Sequence, residues 1–222
     1  MGAVGAIFQK ELRVEFRNKQ TIVTYLLLAF LILTSFRFAF SSFDKTATEI
    51  AAPIIWITIF FAGMFSLTPV YKREVDESTK EGLLLAPIPH SAVYVGKLLA
   101  SLLVVFGLEL FTLMLFFVFF PYDLPDMAAL MTILVLGTLG FVALGSIISA
   151  ISSQLSQAGV MLMVLTIPLL LFTVVLSAVS ATSEIFGGAG LADVNEEVRF
   201  LAVFALVFIA TGYLLIDFIL EA

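Results

Sequence analysis

Apolar residues gather in six stretches, at residues 21–40, 50–70, 93–120, 127–150, 158–181 and 198–218. About 30 Å of hydrocarbon needs roughly 20 helical residues at 1.5 Å rise, so each stretch predicts one transmembrane helix. Ahead of them, Val4, Ile7, Phe8, Leu12 and Phe16 fall at helical spacing, while Lys10, Arg13, Arg17 and Lys19 fill the rest of the wheel. That pattern predicts an amphipathic helix over residues 1–20 lying in the membrane interface, with Phe16 on its apolar side and Arg13 and Arg17 on its basic side. A solvated amino-terminal helix is the alternative. Glu15 and Lys19 add an i,i+4 pair in the favourable orientation.

The links are short. Residues 41–49 and 121–126 read as polar turns, and Ser152, Ser153, Gln154, Ser156 and Gln157 join the fourth and fifth stretches. Residues 182–197 form a longer link in which Gly187, Gly188 and Gly190 predict a mobile loop. A partial re-entrant element built on Ile185, Phe186, Leu191 and Val194 is the other reading. No internal repeat is visible, and the matched broken helices of an inverted-repeat transporter are missing.

One polar island interrupts the apolar pattern, over residues 71–90. It carries Lys72, Arg73, Glu74, Asp76, Glu77, Lys80 and Glu81, followed by Leu83, Leu84, Leu85, Pro87 and Pro89. Residues 74–86 are enough for about three helical turns, with Asp76 and Lys80 at i,i+4 and Pro87 as terminator. Such a helix suits docking in the groove of a soluble partner by its leucine anchors, and its attachment to two spans would carry the partner's movement into the bilayer. An ordinary charged loop is the bland reading.

Composition agrees with a membrane protein. Hydrophobic residues make up 61% and charged residues 13%, with mean hydropathy +1.15, against about half and a quarter in soluble domains. The expectation is an all-α, polytopic membrane protein of about six transmembrane helices, forming a single transmembrane domain over residues 1–222. The first apolar run is too long for a cleavable signal peptide and reads as a retained signal-anchor. Cysteine is absent, which excludes disulfides, thiolate metal sites and cysteine nucleophiles. Basic residues set the orientation: Lys10, Arg13, Arg17, Lys19, Lys72, Arg73, Lys80 and Lys97 fall on one side, and Arg37, Lys45 and Arg199 on the other. The positive-inside rule then places both termini and the island in the cytoplasm.

Candidate chemistry is sparse. Glu109 lies near the middle of the third stretch, where a carboxylate is costly and marks a functional-site hypothesis by default. Its candidate partners are Thr112 and Thr58, and a structural hydrogen bond between helices is the competing reading. Arg37 is expected to snorkel to the headgroups rather than pair with Glu109. His90, the sole histidine, is expected as a solvated loop residue, since one histidine cannot supply a paired haem site. Gly145, Ser149 and Ser153 repeat a small residue every fourth position, below Gly137 and Gly140, a pattern suited either to packing within the chain or to a homodimer seam. Pro53 and Pro168 fall inside spans, where neighbours can satisfy the freed backbone. No P-loop, H-E-x-x-H or G-x-S-x-G motif exists, so the chain is not expected to be an enzyme or to hold nucleotide by itself.

The run from Arg73 to Pro89, followed by Gly96-Lys97, resembles the cytosolic loop of type-2 ABC-transporter membrane subunits. Within that group the chain is similar to the cytochrome c maturation protein B family, also called haem exporter protein B. Lys10 to Arg17 resembles that family's opening Glu-Leu-Arg element, and Ile54-Ile55-Trp56 the start of its second span. Glu77-Ser78-Thr79-Lys80 departs from the family's acidic-Gly-Ser/Thr-Leu step, whereas Glu81, Leu83, Leu84, Pro87 and Lys97 match. The resemblance implies a permease subunit in a prokaryotic plasma (inner) membrane. The island would be a coupling helix docking on a separate ABC ATPase subunit through Glu74, Asp76, Glu77, Lys80, Glu81, Leu83, Leu84, Leu85 and Pro87, and the first helix a membrane-surface elbow. It also implies a haem-handling membrane protein and a haem chaperone as partners. ATP would bind the partner subunit and haem would be a candidate substrate; no cofactor bound by this chain, no metal and no nucleic acid is expected. The alternatives are a type-2 exporter permease for a lipid, drug or glycan, and a stand-alone channel or secondary transporter in which Glu109 relays protons.

Overall fold

A computed structural model describes residues 2–40, 47–76, 82, 87–120, 125–154 and 173–221. Among these residues the regular structure is entirely helical: α1 (Ala3–Arg17), α2 (Lys19–Ala39), α3 (Ala47–Leu67), α4 (Pro69–Asp76), α5 (His90–Phe119), α6 (Met127–Ser152), α7 (Thr173–Phe186) and α8 (Asn195–Glu221). Five of them, α2, α3, α5, α6 and α8, are long and apolar enough to cross a membrane. α7 covers the later part of the fifth expected span. The rest of that span, with Pro168, lies outside the described residues.

The elements begin and end where local chemistry dictates. At Asn18 the backbone leaves the helical region (φ −90°, ψ 70°), and Asn18 Oδ1 accepts from Thr21 N–H at 3.4 Å, so α1 and α2 are separate helices. Asp126 caps α6 by accepting from the N–H groups of Ala128 (3.0 Å) and Ala129 (3.2 Å). Within the spans, hydroxyls turn back on their own helix: Thr34 donates to Phe30 O, Thr58 to Ile54 O and Thr112 to Leu108 O. Apolar surroundings offer no other acceptor, so this back-bonding is how a hydroxyl is carried through lipid. It also corrects the expected partners of Glu109, since Thr58 and Thr112 spend their protons on carbonyls.

α6 lies at the centre, packed against α3, α4, α5 and α8. Its glycines allow this. A Cβ on Gly137 would overlap the Trp56 ring of α3, one on Gly145 would come within 2.5 Å of Leu67, and one on Gly140 within 3.1 Å of Phe204 in α8. The small-residue stripe is thus occupied by packing inside the chain, and it leaves Gly145 and Ser149 no free seam for a second copy. Around this core, α2 and α8 present Phe38, Leu206, Leu214 and Phe218 outward, each more than two-thirds exposed, as helix faces meant for lipid are.

At one end of the bundle sits an aromatic cluster. Phe116 stacks on Phe120 at 5.0 Å and meets Phe186 edge-on at 6.0 Å, while the Arg37 guanidinium lies 6.0 Å from the Phe120 ring centre. Arg37 is exposed, in keeping with the expectation that it does not seek Glu109. The glycine-rich link is not an open loop: Gly187 N–H donates to Ser183 O, Gly188 adopts φ +97°, and Ala189 N–H donates to Glu184 O, closing α7 in a left-handed cap. Asp193 Oδ2 then accepts from Gly190 N–H at 2.8 Å, and Ile185 and Val194 are fully buried. Apolar anchors on both sides of the turn draw it against the bundle.

Candidate functional site

The opposite, charged end of the bundle gathers α1, α4 and the start of α5, and it begins with a close approach. A Cβ at Gly96 would stand 2.7 Å from Ile7 Cβ and 3.1 Å from Val4 O, so only glycine lets α1 lie this close to α5. That proximity delivers Glu11 to Lys97. Lys97 is 1% exposed; its Nζ donates to Glu11 Oε1 at 3.0 Å and to Val70 O at 2.7 Å, and lies 4.9 Å from the centre of the Tyr71 ring. Lys10 Nζ reaches the same Glu11 oxygen at 2.9 Å.

One turn further along α1, Glu15 Oε2 pairs with Arg73 Nη2 of α4 at 2.7 Å. Across the helix, Ser149 Oγ of α6 accepts from Tyr71 N–H at 3.3 Å and donates to Thr68 O at 3.2 Å. α4 is therefore held from three sides: by α1 through Arg73, by α5 through the Val70 carbonyl, and by α6 through Ser149. Since α4 is the root of the polar island, this arrangement is a clamped stalk. Its largely enclosed charges resist sliding, because parting Lys97 from Glu11 leaves a carboxylate in a poorly hydrated place.

The predicted residues fall unevenly around it. Glu74 and Asp76 belong to α4, although their side chains are outside the described residues, as are Glu77, Lys80, Glu81, Leu83, Leu84 and Leu85 altogether. Pro87 is exposed in the bend that leads to α5. Arg13 and Arg17 are exposed on α1, as expected, but so is Phe16, which is 60% exposed. The α1 face turned to the bundle is Ile7, Glu11 and Glu15 rather than the apolar stripe alone. The physical reason is that α1 packs on a helix carrying a buried lysine, so two acids find better partners inward than in water. Glu15 accordingly pairs with Arg73, and Lys19 starts the next helix instead of closing an i,i+4 turn.

His90 is not a loop residue. It opens α5 behind Pro89, and its Nδ1 stands 3.3 Å from Asp217 Oδ1 of α8, tying the start of α5 to the last helix. Glu109 is fully enclosed, and its Oε1 accepts a hydrogen bond from Thr138 of α6; Oε2 has no partner among the described residues. Thr138 in turn lines an apolar groove of about 480 Å³ bounded by Val4, Phe8, Leu102 and Phe106. Glu109→Gln keeps an acceptor for Thr138 and should change thermal stability in detergent by under about 1 kcal/mol, whereas Glu109→Ala should cost about 2–4 kcal/mol. A glutamine variant as unstable as the alanine variant would assign the carboxyl a role beyond this bond.

Sequence reasoning missed Glu11, Glu15, Lys97 and Thr138 as site residues. A signal existed for the acids: Ile7, Glu11 and Glu15 follow a stride of four that carries no basic residue within α1 and lies beside the apolar stripe. For Lys97 it was the depth at which a lysine stands inside an apolar run. Thr138 carried no mark at all.

The model of the CcmB protein family matches residues 2–217. The chain is 32% identical over 107 residues to the heme exporter protein B of Escherichia coli K12, covering 48% of each chain. It is 27% identical to that of Rhodobacter capsulatus over 78% of this chain and 79% of the relative. With that of Pseudomonas aeruginosa it shares 23% identity over 82% and 81%. The matched segment spans about half the length of the Escherichia coli relative.

Proposed function

Since the chain belongs to the CcmB family, we propose that it is the membrane-spanning permease subunit of an ABC transporter complex for cytochrome c maturation. In this reading it couples ATP hydrolysis on a separate ATPase subunit to haem delivery. The charged end faces the cytoplasm with both termini, in the plasma (inner) membrane of a prokaryote. The ATPase grips the island between α4 and α5, and the haem-handling partners meet other surfaces of the bundle.

The observation that carries this reading is the clamped stalk. A segment meant only to connect two spans has no use for three separate ties to α1, α5 and α6, whereas one that receives force needs a rigid root. Movement of the island would tilt α4 and, through Lys97–Glu11 and Arg73–Glu15, the elbow helix α1 with it. Between moving haem itself and releasing a haem-loaded chaperone, the position of the sole histidine favours release. His90 stands at the charged end beside Asp217, far along α5 from the aromatic end where haem would emerge.

Copurification tests the reading. The double variant Glu81→Arg/Leu84→Asp should lose the ATPase from the purified complex and reduce c-type cytochrome yield to background, with the chain still present in membranes. A double variant that retains both the ATPase and normal maturation would sink it.

A further inference from the structure

Beside the stalk, a cleft of about 200 Å³ opens between α1, α2 and α5. Its walls are Phe16, Ile22, Leu26, Leu103 and Leu108, with Glu15 and Tyr25 at its charged end. Two features set it apart from ordinary lipid-facing surface. Glu15 Oε2 is committed to Arg73, but Oε1 is buried with no hydrogen-bond partner among the described residues, the whole residue being only 9% exposed. Gly107 lines the cleft, and a Cβ built there meets nothing within 4 Å, so its missing side chain leaves this wall of the cleft open.

A buried carboxylate oxygen that has lost water and gained no donor is short of one N–H, and a ligand that supplies it relieves a cost of about 1–3 kcal/mol. We propose that the cleft binds a phospholipid with a primary-amine headgroup, its ammonium donating to Glu15 Oε1 and the upper part of one acyl chain lying along Ile22, Leu26, Leu103 and Leu108. Phe16, the most exposed wall, is the one free to swing aside. Such a lipid would sit against the Glu15–Arg73 tie and brace the stalk, yet its binding rests on the cleft alone and not on the transport reading.

The test uses the full chain in nanodiscs with photoactivatable phosphatidylethanolamine or phosphatidylcholine, with crosslinks mapped by mass spectrometry. A trimethylammonium has no N–H to donate, so crosslinking to α2 and α5 residues of the cleft should favour the ethanolamine lipid about tenfold, the worth of one charge-assisted bond. Glu15→Gln should bring the two lipids to parity, and Gly107→Leu, which fills the gap without touching any charge, should remove cleft crosslinks for both. Equal labelling by the two lipids in the native chain, labelling unaffected by Gly107→Leu, or crosslinks only outside the cleft would each overturn the site. Normal cytochrome maturation in cells lacking this chain, with the lipid preference intact, would count against the transport reading and leave the site standing.

Discussion

Lys97→Met is expected to lower the stability of the bundle by about 3 kcal/mol and, on the permease function proposed above, to bring cytochrome maturation close to background. The ammonium is almost wholly enclosed between Glu11, the Val70 carbonyl and the Tyr71 ring. Its removal leaves Glu11 with only Lys10, which is half-exposed and cannot follow it inward. Breaking a buried pair from one side costs about 3–5 kcal/mol, and Lys10 keeps this case at the low end. Removing both charges is different, because two well-packed apolar side chains can replace an ion pair at little net cost. Glu11→Leu/Lys97→Met should therefore recover most of the thermal stability while maturation stays low, since the tie from Val70 to α1 is gone. Heat challenge followed by size-exclusion reads the first quantity and c-type cytochrome yield the second. Normal maturation in the double variant would show that the clamp serves stability alone.

Gly137→Val should be equally severe by another route. Even the first added carbon would overlap the Trp56 ring, and the tryptophan cannot retreat, being 1% exposed and anchored by Nε1–H donating to Thr182 Oγ1 at 2.9 Å. Overpacking costs about 1–3 kcal/mol, and loss of the buried Trp56–Thr182 bond adds about 1–3 kcal/mol. Trp56 is the only tryptophan, so its emission reports the displacement directly as a red shift. Combining Gly137→Val with Trp56→Leu should recover at least about 1 kcal/mol relative to the sum of the single changes, the coupling expected of residues in contact. Additive single effects would mean that α3 and α6 do not meet there.

Much of this architecture was legible in residue patterns because lipid leaves so few choices. A backbone without water must close its own hydrogen bonds, so long apolar runs become spanning helices at nearly the predicted bounds, as in α2, α5 and α6. The first helix, α1, and its exposed Arg13 and Arg17 were equally readable. What eluded pattern reading was pairing between distant elements. Glu11 looked like one more charge on an amphipathic helix, and Lys97 like one more interfacial cation; their meeting depends on Gly96, whose missing side chain lets the two helices touch. Glu109 likewise found Thr138, on a neighbouring span, because the hydroxyls expected to meet it, Thr58 and Thr112, had carbonyls of their own.

By itself, then, the order of residues determined the all-helical class, the bounds of most of the long apolar helices and the family to which the chain belongs. These follow from periodicity and transfer free energy, which act along the chain. The tertiary structure alone decided which glycines serve contact, which acids turn inward and which three helices hold α4. Those outcomes depend on how closely helices approach, and a buried charge is tolerated only where that approach supplies its partner.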